Sequence, residues 1–521
     1  MSAAVQTFPA QAATDLPLRS DILSGSFSRE GCEAVALLVE RFLRNDRGAL
    51  AAWFGAAVVS GTDHSQIRGL VDRDLAAIDA MIGWQLDAIL HHPRLQRLEG
   101  SWRGLAWMLE GFDPAARLKT RVLSASWHEL DRDLSRANEF DQSALFRLIY
   151  ENEFGTAGGE PFGLLVVDHE LRHKPARRDG LAQGASSQAP VDDLSVLGSL
   201  ASIAAASFMP VVVAADPALL GVDRFEALAL SNDIAAALRD DEHARWRLLS
   251  LRDDTRFVCV TLPRVLARPR WHSGILHGSG LRYDEYAPEA RHRTWSVACY
   301  AFAAVVGRAQ AAFNWPGDVR GVSPDRIGGG LVLDLPAEPF VLGVATVWNR
   351  PSLDLALTDR QEQELVSAGL MPLNTLPYGD ASFPAVHSLQ ARVADAPGRE
   401  PTPGIANRNL SAQINAMLCV SRFAHYVKII GRESTGAFMT ASEIERRLQS
   451  WLAGYTNASQ NADPDQRARH PLISSRVSVH AIPGEAGSFG CVIQLQPYYQ
   501  LDDVSASFRL VTGFSPAGLR K

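Results

Sequence analysis

The sequence predicts a multidomain α/β (α+β) protein, with a mixed sheet flanked by helices in its middle and a C-terminal region of two helices and antiparallel strands. Three observations predict it. Short apolar runs at 164–167, 210–214 and 257–262 alternate with amphipathic segments at 140–150 and 194–207, as buried strands do when helices cover both faces of their sheet. Beyond a Pro/Gly/Ala-rich passage at 393–404, holding Pro397, Pro401 and Pro403, the pattern changes to two long helices and alternating strands. Finally, 521 residues with 46% hydrophobic and 21% charged content suit two or three domains with substantial cores.

Each element has its own signal. Residues 1–20 are rich in Ala, Gln, Pro and Thr and read as an arm. Apolar residues recur at helical spacing over 30–54, and again over 71–91, where Leu75, Ile78, Ile82, Leu86 and Ile89 form one stripe. Pro93 marks the start of the next helix. Residues 172–190 break the pattern and read as a surface loop. A helix is expected over 407–431, stopped by Gly431, and another over 440–453, where Thr440 and Glu443 make a capping box. Strands at 476–480 and 491–495 flank a Pro483–Gly487 turn, and a third is expected at 505–511. The expected boundaries are thus 1–60, 61–392, a linker at 393–404, and 405–521.

Composition excludes several function classes. The net charge is −7 with no strongly basic segment, which argues against nucleic acid as partner. Lysine occurs four times (Lys119, Lys174, Lys428 and Lys521), so nearly all positive charge is arginine. The five cysteines are scattered and form no C-x-x-C pair, which fits a reducing compartment. The first 30 residues lack a basic start followed by an apolar core, and the longest apolar stretch, 200–215, is too broken to span a bilayer. A cytoplasmic protein with no direct membrane insertion is the expectation.

Catalytic signals are weak. No lysine follows a glycine, so there is no P-loop, and G-x-S-x-G is absent; an H-E-x-x-H string does occur, HELRH at 169–173, directly after the apolar run 164–167 that reads as a strand. His91 and His92 read as helix-end residues, Gly328–Gly330 as a turn, and His425 as a core or interface histidine. Glu151, Glu153 and Glu160 read as structural ion-pair partners of arginines. No catalytic residue, cofactor or metal ligand is assigned.

Six segments carry a family resemblance: HHPRLQRLEGSWRGLAWML (91–109), IYENEFGTAGGEPFGLLVVDHE (149–170), TLPRVLAR (261–268), LTDRQEQELVSAGLMPL (357–373), MLCVSRFAHYVKII (417–430) and PYYQLDDVSASFRLV (497–511). In this order they resemble the large subunit of type VI secretion contractile sheaths (the TssC, VipB or ImpC family). The matching motif residues are Glu99, Trp102, Arg103, Phe154, Gly155, Gly158, Gly159, Glu160, Pro161, Arg422, Phe423, His425 and Tyr426. Ala157 stands where the family usually has an aromatic residue. The resemblance implies a structural protein that pairs with a small TssB/VipA-like sheath subunit and with further copies of itself. It also implies a helical lattice around an Hcp inner tube, assembled on a membrane-anchored baseplate and dismantled by a ClpV-type AAA+ ATPase. By the same analogy residues 405–521 face the inner tube, and the first 60 residues dock the small subunit. Strands lent between subunits complete the C-terminal sheet, with Asp21, Ile22 and Leu23 and with Ser505, Ser507, Phe508, Arg509, Leu510 and Val511 as candidates. The competing readings are a phage-tail-like injection sheath, which builds its lattice from one chain, and a cytosolic small-molecule-binding α/β enzyme.

Overall fold

The computed structural model describes residues 17–25, 37, 39–40, 42–44, 48–156, 158–175, 190–272, 280–322, 326–342, 346–376, 379–392, 408–409, 411–434, 440–459, 463–481, 489–497 and 508–514. The chain divides into two compact units: residues 1–96 with 270–293, and residues 97–269 with 294–521.

In the first unit the described helices include α1 (Pro17–Leu23), α2 (Ala49–Phe54) and α3 (His64–Leu90). The strand expected at Asp21–Leu23 is instead part of helix α1. Tertiary anchoring fixes that conformation: the Arg19 guanidinium donates to both carboxylate oxygens of Asp74, at 2.6 and 3.0 Å, and lies over the Phe54 ring. Trp53 Nε1 donates to the same carboxylate. His91 ends α3, its backbone N–H returning to the Asp87 carbonyl, and His92 Nδ1 accepts from the Arg94 N–H. Both are helix-end residues, as expected.

The second unit begins within α4 (Pro93–Glu110), followed by α5 (Trp127–Arg136). Its strands are β1 (Leu165–Leu171), β2 (Val211–Ala215), β3 (Val258–Leu262), β4 (Val265–Leu266), β5 (Trp295–Ser296), β6 (Leu331–Val332), β7 (Glu338–Leu342), β8 (Thr346–Arg350), β9 (Met371–Pro372), β10 (Asn374–Thr375) and β11 (Ala381–Ser382). Strands β1, β2, β3 and β9 form one parallel sheet in that order. Every residue of β2 and β3 is buried, which explains their unbroken apolar runs. Helices α6 (Asp193–Ser207) and α7 (Cys299–Phe313) contribute most of their residues to the same core. Helix α8 (Asp359–Ser367) starts on a Thr358/Gln361 capping box.

The C-terminal elements are α9 (Ile414–Ser434), α10 (Ala441–Ala453), α11 (Pro464–Arg469), β12 (Leu472–Ala481), β13 (Phe489–Pro497) and β14 (Phe508–Phe514). Gly431 does not end α9. The helix continues one turn, and Arg432 on that turn donates to the Phe154 and Thr156 carbonyls at 3.0 and 2.8 Å. Helix α10 does start on the Thr440/Glu443 capping box. A second core joins α9 and α10 to the sheet through Phe423, Val427, Leu448, Leu452, Val477, Ile493 and Leu495. Phe208, at the end of α6, packs against both cores.

Candidate assembly site

The C-terminal sheet is antiparallel, ordered β12-β13-β14. Val477 stands opposite Ile493, Val492 opposite Val511, and Leu495 opposite Phe508. Alternation sends Cys491, Ile493 and Leu495 of β13 into the helix-covered core and leaves Gln494 exposed on the other face. In this chain, then, β14 pairs with its own β13. The expected strand at 505–511 is observed at 508–514, and Ser505 and Ser507 lie outside the described residues. Beneath the sheet, Trp315 stacks on Phe423 at 4.3 Å, with Tyr426, Trp451 and Tyr455 packed edge-on or tilted around them.

Among the described residues, four of the six motif segments meet: 149–170 touches both α9 and 261–268, and 261–268 touches 91–109. The segment 149–170 presses on α9. The Phe154 ring meets His425 at 5.3 Å and 66°. His425 is 1% exposed, and its Nε2 lies 3.0 Å from the Ser207 carbonyl, so that nitrogen carries the hydrogen and donates. Burial, with Arg422 nearby, pushes its pKa down to about 3 and keeps the ring neutral. It is a core histidine. One turn further along α9, the Lys428 ammonium faces three rings, 4.9 Å from those of Tyr150 and Phe154 and 5.0 Å from that of Phe208. Phe208 reaches this position by adopting the left-handed conformation that ends α6 (φ 49, ψ 43).

The glycines of the same motif fit tight backbone. Gly158 has φ +82, and a Cβ on Gly159 would collide with the Glu153 carbonyl. Pro161 is buried beside them. Glu153 pairs with Arg121 and also accepts from the Glu160 N–H at 2.8 Å. Glu160 pairs with Lys119 at 2.6 Å, a lysine where an arginine was expected. Arg422 donates to the Tyr426 hydroxyl and lies over its ring.

Segments 91–109 and 261–268 meet at Glu99. Its Oε1 accepts from Arg103 and Arg268, both at 2.7 Å, while Oε2 accepts from the Thr294 hydroxyl at 3.2 Å. Burial works against the charge, yet the two guanidiniums hold this carboxyl below its ordinary range. Arg268 is only 6% exposed, so the pair is one of the more buried ones. Trp102, by contrast, is 61% exposed. Gly104 on α4 lies where a Cβ would strike Ser296 and the Tyr300 ring. Segments 149–170 and 261–268 meet again where Arg264 grips Glu170 with both arms of its fork, at 2.5 and 2.9 Å. Burial pushes neighbouring Asp354 up to about 8 despite Arg264.

The H-E-x-x-H string at 169–173 falls on β1 and just beyond it, where His169 stacks on Trp127 and His173 on His243, both with ring centroids 4.0 Å apart. Among the described residues no group of three or more His, Cys, Asp or Glu is placed to hold a metal, and no helix is long and apolar enough to cross a membrane. Cys259, Cys299, Cys419 and Cys491 are buried free thiols. Sequence reasoning missed Lys428, Arg432 and Phe208. The rarity of lysine was the available signal for Lys428, and nothing local marked Phe208 as a partner.

Two family models match, one described as the EvpB/VC_A0108 tail sheath N-terminal domain over residues 72–390 and one as the EvpB/VC_A0108 tail sheath gpW/gp25-like domain over residues 404–514. A Pseudomonas aeruginosa protein named type VI secretion system sheath protein TssC1 is 32% identical over 448 residues, 85% of each chain. Among solved structures, an anti-feeding prophage baseplate aligns over 78% of this chain and 82% of its own at 9% identity and a TM-score of 0.29. The contracted sheath of that prophage aligns over 63% and 64% at 11% identity and a TM-score of 0.24. The two structural likenesses are too low to carry an argument, but the sequence matches are not: this chain belongs to the EvpB/VC_A0108 tail sheath family, alongside the type VI secretion sheath proteins.

Proposed function

We propose that this chain is the large structural subunit of a type VI secretion sheath and catalyses nothing itself. It pairs with a small TssB/VipA-like subunit and stacks with copies of itself around an Hcp inner tube. The lattice stands on a baseplate in the bacterial cytoplasm, contracts to drive the tube outward, and is taken apart by a ClpV-type ATPase. In this reading residues 1–60 dock the small subunit, 61–392 form the middle domain, 393–404 act as a linker, and 405–521 face the tube. Strands lent by other subunits extend the C-terminal sheet, with Phe508, Arg509, Leu510 and Val511 at its growing side. The single observation that carries the reading is the 32% identity to TssC1 across 85% of the chain.

Co-expression with a small TssB/VipA-like subunit, followed by electron microscopy, tests the proposal. Tubes are expected. A monodisperse monomer or small closed oligomer in the presence of that partner would refute it. Ile493, 0% exposed at the centre of the sheet, gives a matched control. Ile493→Asp places a carboxylate in an apolar core, a loss of several kcal/mol, and tubes should disappear.

A further inference from the structure

Side chains, and not a strand, meet the outer edge of β12 around its centre. Ser475, Val477 and Val479 pair opposite Leu495, Ile493 and Cys491. In an antiparallel ladder alternate residues turn their N–H and C=O groups away from the partner, toward the place of a further strand. In β12 three of those groups meet side chains of α10. Gln449 Nε2 donates to the Ser475 carbonyl at 3.2 Å, and Gln449 Oε1 accepts from the Val477 N–H at 2.9 Å. Glu445 Oε2 accepts from the Val479 N–H at 3.0 Å. Glu445 and Gln449 are four residues apart on α10, hence on one face of it. The start of the strand is covered as well: the Asn457 N–H donates to the Leu472 carbonyl at 2.8 Å, and the Leu472 N–H donates to the Tyr455 carbonyl at 3.3 Å.

An exposed strand edge is a template for another chain. Here an arriving strand would have to break three side-chain bonds and lift α10, whose Ile444, Leu448 and Leu452 are buried beneath the sheet. We infer that Glu445 and Gln449 guard the β12 edge by standing in for a strand, so that the sheet accepts an extended segment from another subunit only on its β14 side. The donor's identity as a sheath subunit rests on the function proposed above; the guarded edge does not.

The test is a Glu445→Ala/Gln449→Ala variant of the full chain, compared with its parent at equal concentration. Hydrogen exchange at the Val477 and Val479 amides should accelerate about tenfold, the effect of losing one hydrogen bond at each. Sedimentation should show new concentration-dependent oligomers. Glu445→Gln keeps an acceptor and should behave as the parent. Unchanged exchange would overturn the inference, and so would faster exchange without new association. Both readings are made without the small subunit, so they stand even if co-expression yields no tubes; failure of tubes alone counts against the proposed function, not against the guard.

Discussion

Lys428 offers the most direct measurement of how α9 is tied to the rest of its unit. Its ammonium lies 4.9, 4.9 and 5.0 Å from the rings of Tyr150, Phe154 and Phe208, all within the ~6 Å reach of a cation–π attraction. Lys428 is half-buried, so each ring contributes about 0.5–1 kcal/mol, or about 2 kcal/mol for the three. Lys428→Met keeps most of the volume and removes the charge. Urea unfolding should therefore show a loss of about 2 kcal/mol with an unchanged m-value. Pairing it with Phe154→Leu in a double-mutant cycle isolates one ring, with an expected coupling of about 0.5–1 kcal/mol. A loss under about 0.5 kcal/mol for Lys428→Met, the ordinary result for an exposed lysine, would refute the cage.

Two further outcomes can be checked on the purified chain. Burial holds His425 down to about 3 and His387 down to about 4, so both stay neutral in the fold while their unfolded counterparts titrate near the ordinary histidine value of about 6.5. Their contribution is complete above that pH and is lost as pH falls toward 4, at about 1.4 kcal/mol per pH unit for each histidine. Unfolding free energy should decline between pH 6.5 and 5, and His425→Gln should remove up to about 1.4 kcal/mol per pH unit of that slope; a slope unchanged by the substitution would contradict it. Gly104→Ala should cost about 1–3 kcal/mol because its Cβ meets Ser296 and Tyr300, and an unaltered melting temperature would mean that α4 packs differently.

The buried parallel sheet was legible in the sequence because a strand covered on both faces has to be apolar throughout, and β2 and β3 matched the expected runs within a residue. The α10 cap was legible for a similar reason: a capping box is local chemistry, complete within four residues. Helix α1 was not, since its conformation depends on Arg19 reaching Asp74, 55 positions away. The end of α9 was missed for the same cause. Gly431 signals a stop locally, but Arg432 bonds to carbonyls about 276 residues earlier. The motif segments pointed to the right family, while their pairing at Glu99, Arg264 and His425 is a property of tertiary packing that spacing does not encode.

Phe208 touches both cores and stands three residues ahead of β2. Through the bond from His425 to the neighbouring Ser207 carbonyl, a tug on the C-terminal strands has a short mechanical route into the central sheet. Such a coupling makes the C-terminal strands and the parallel sheet answer a load together, so that neither can be displaced without straining the other.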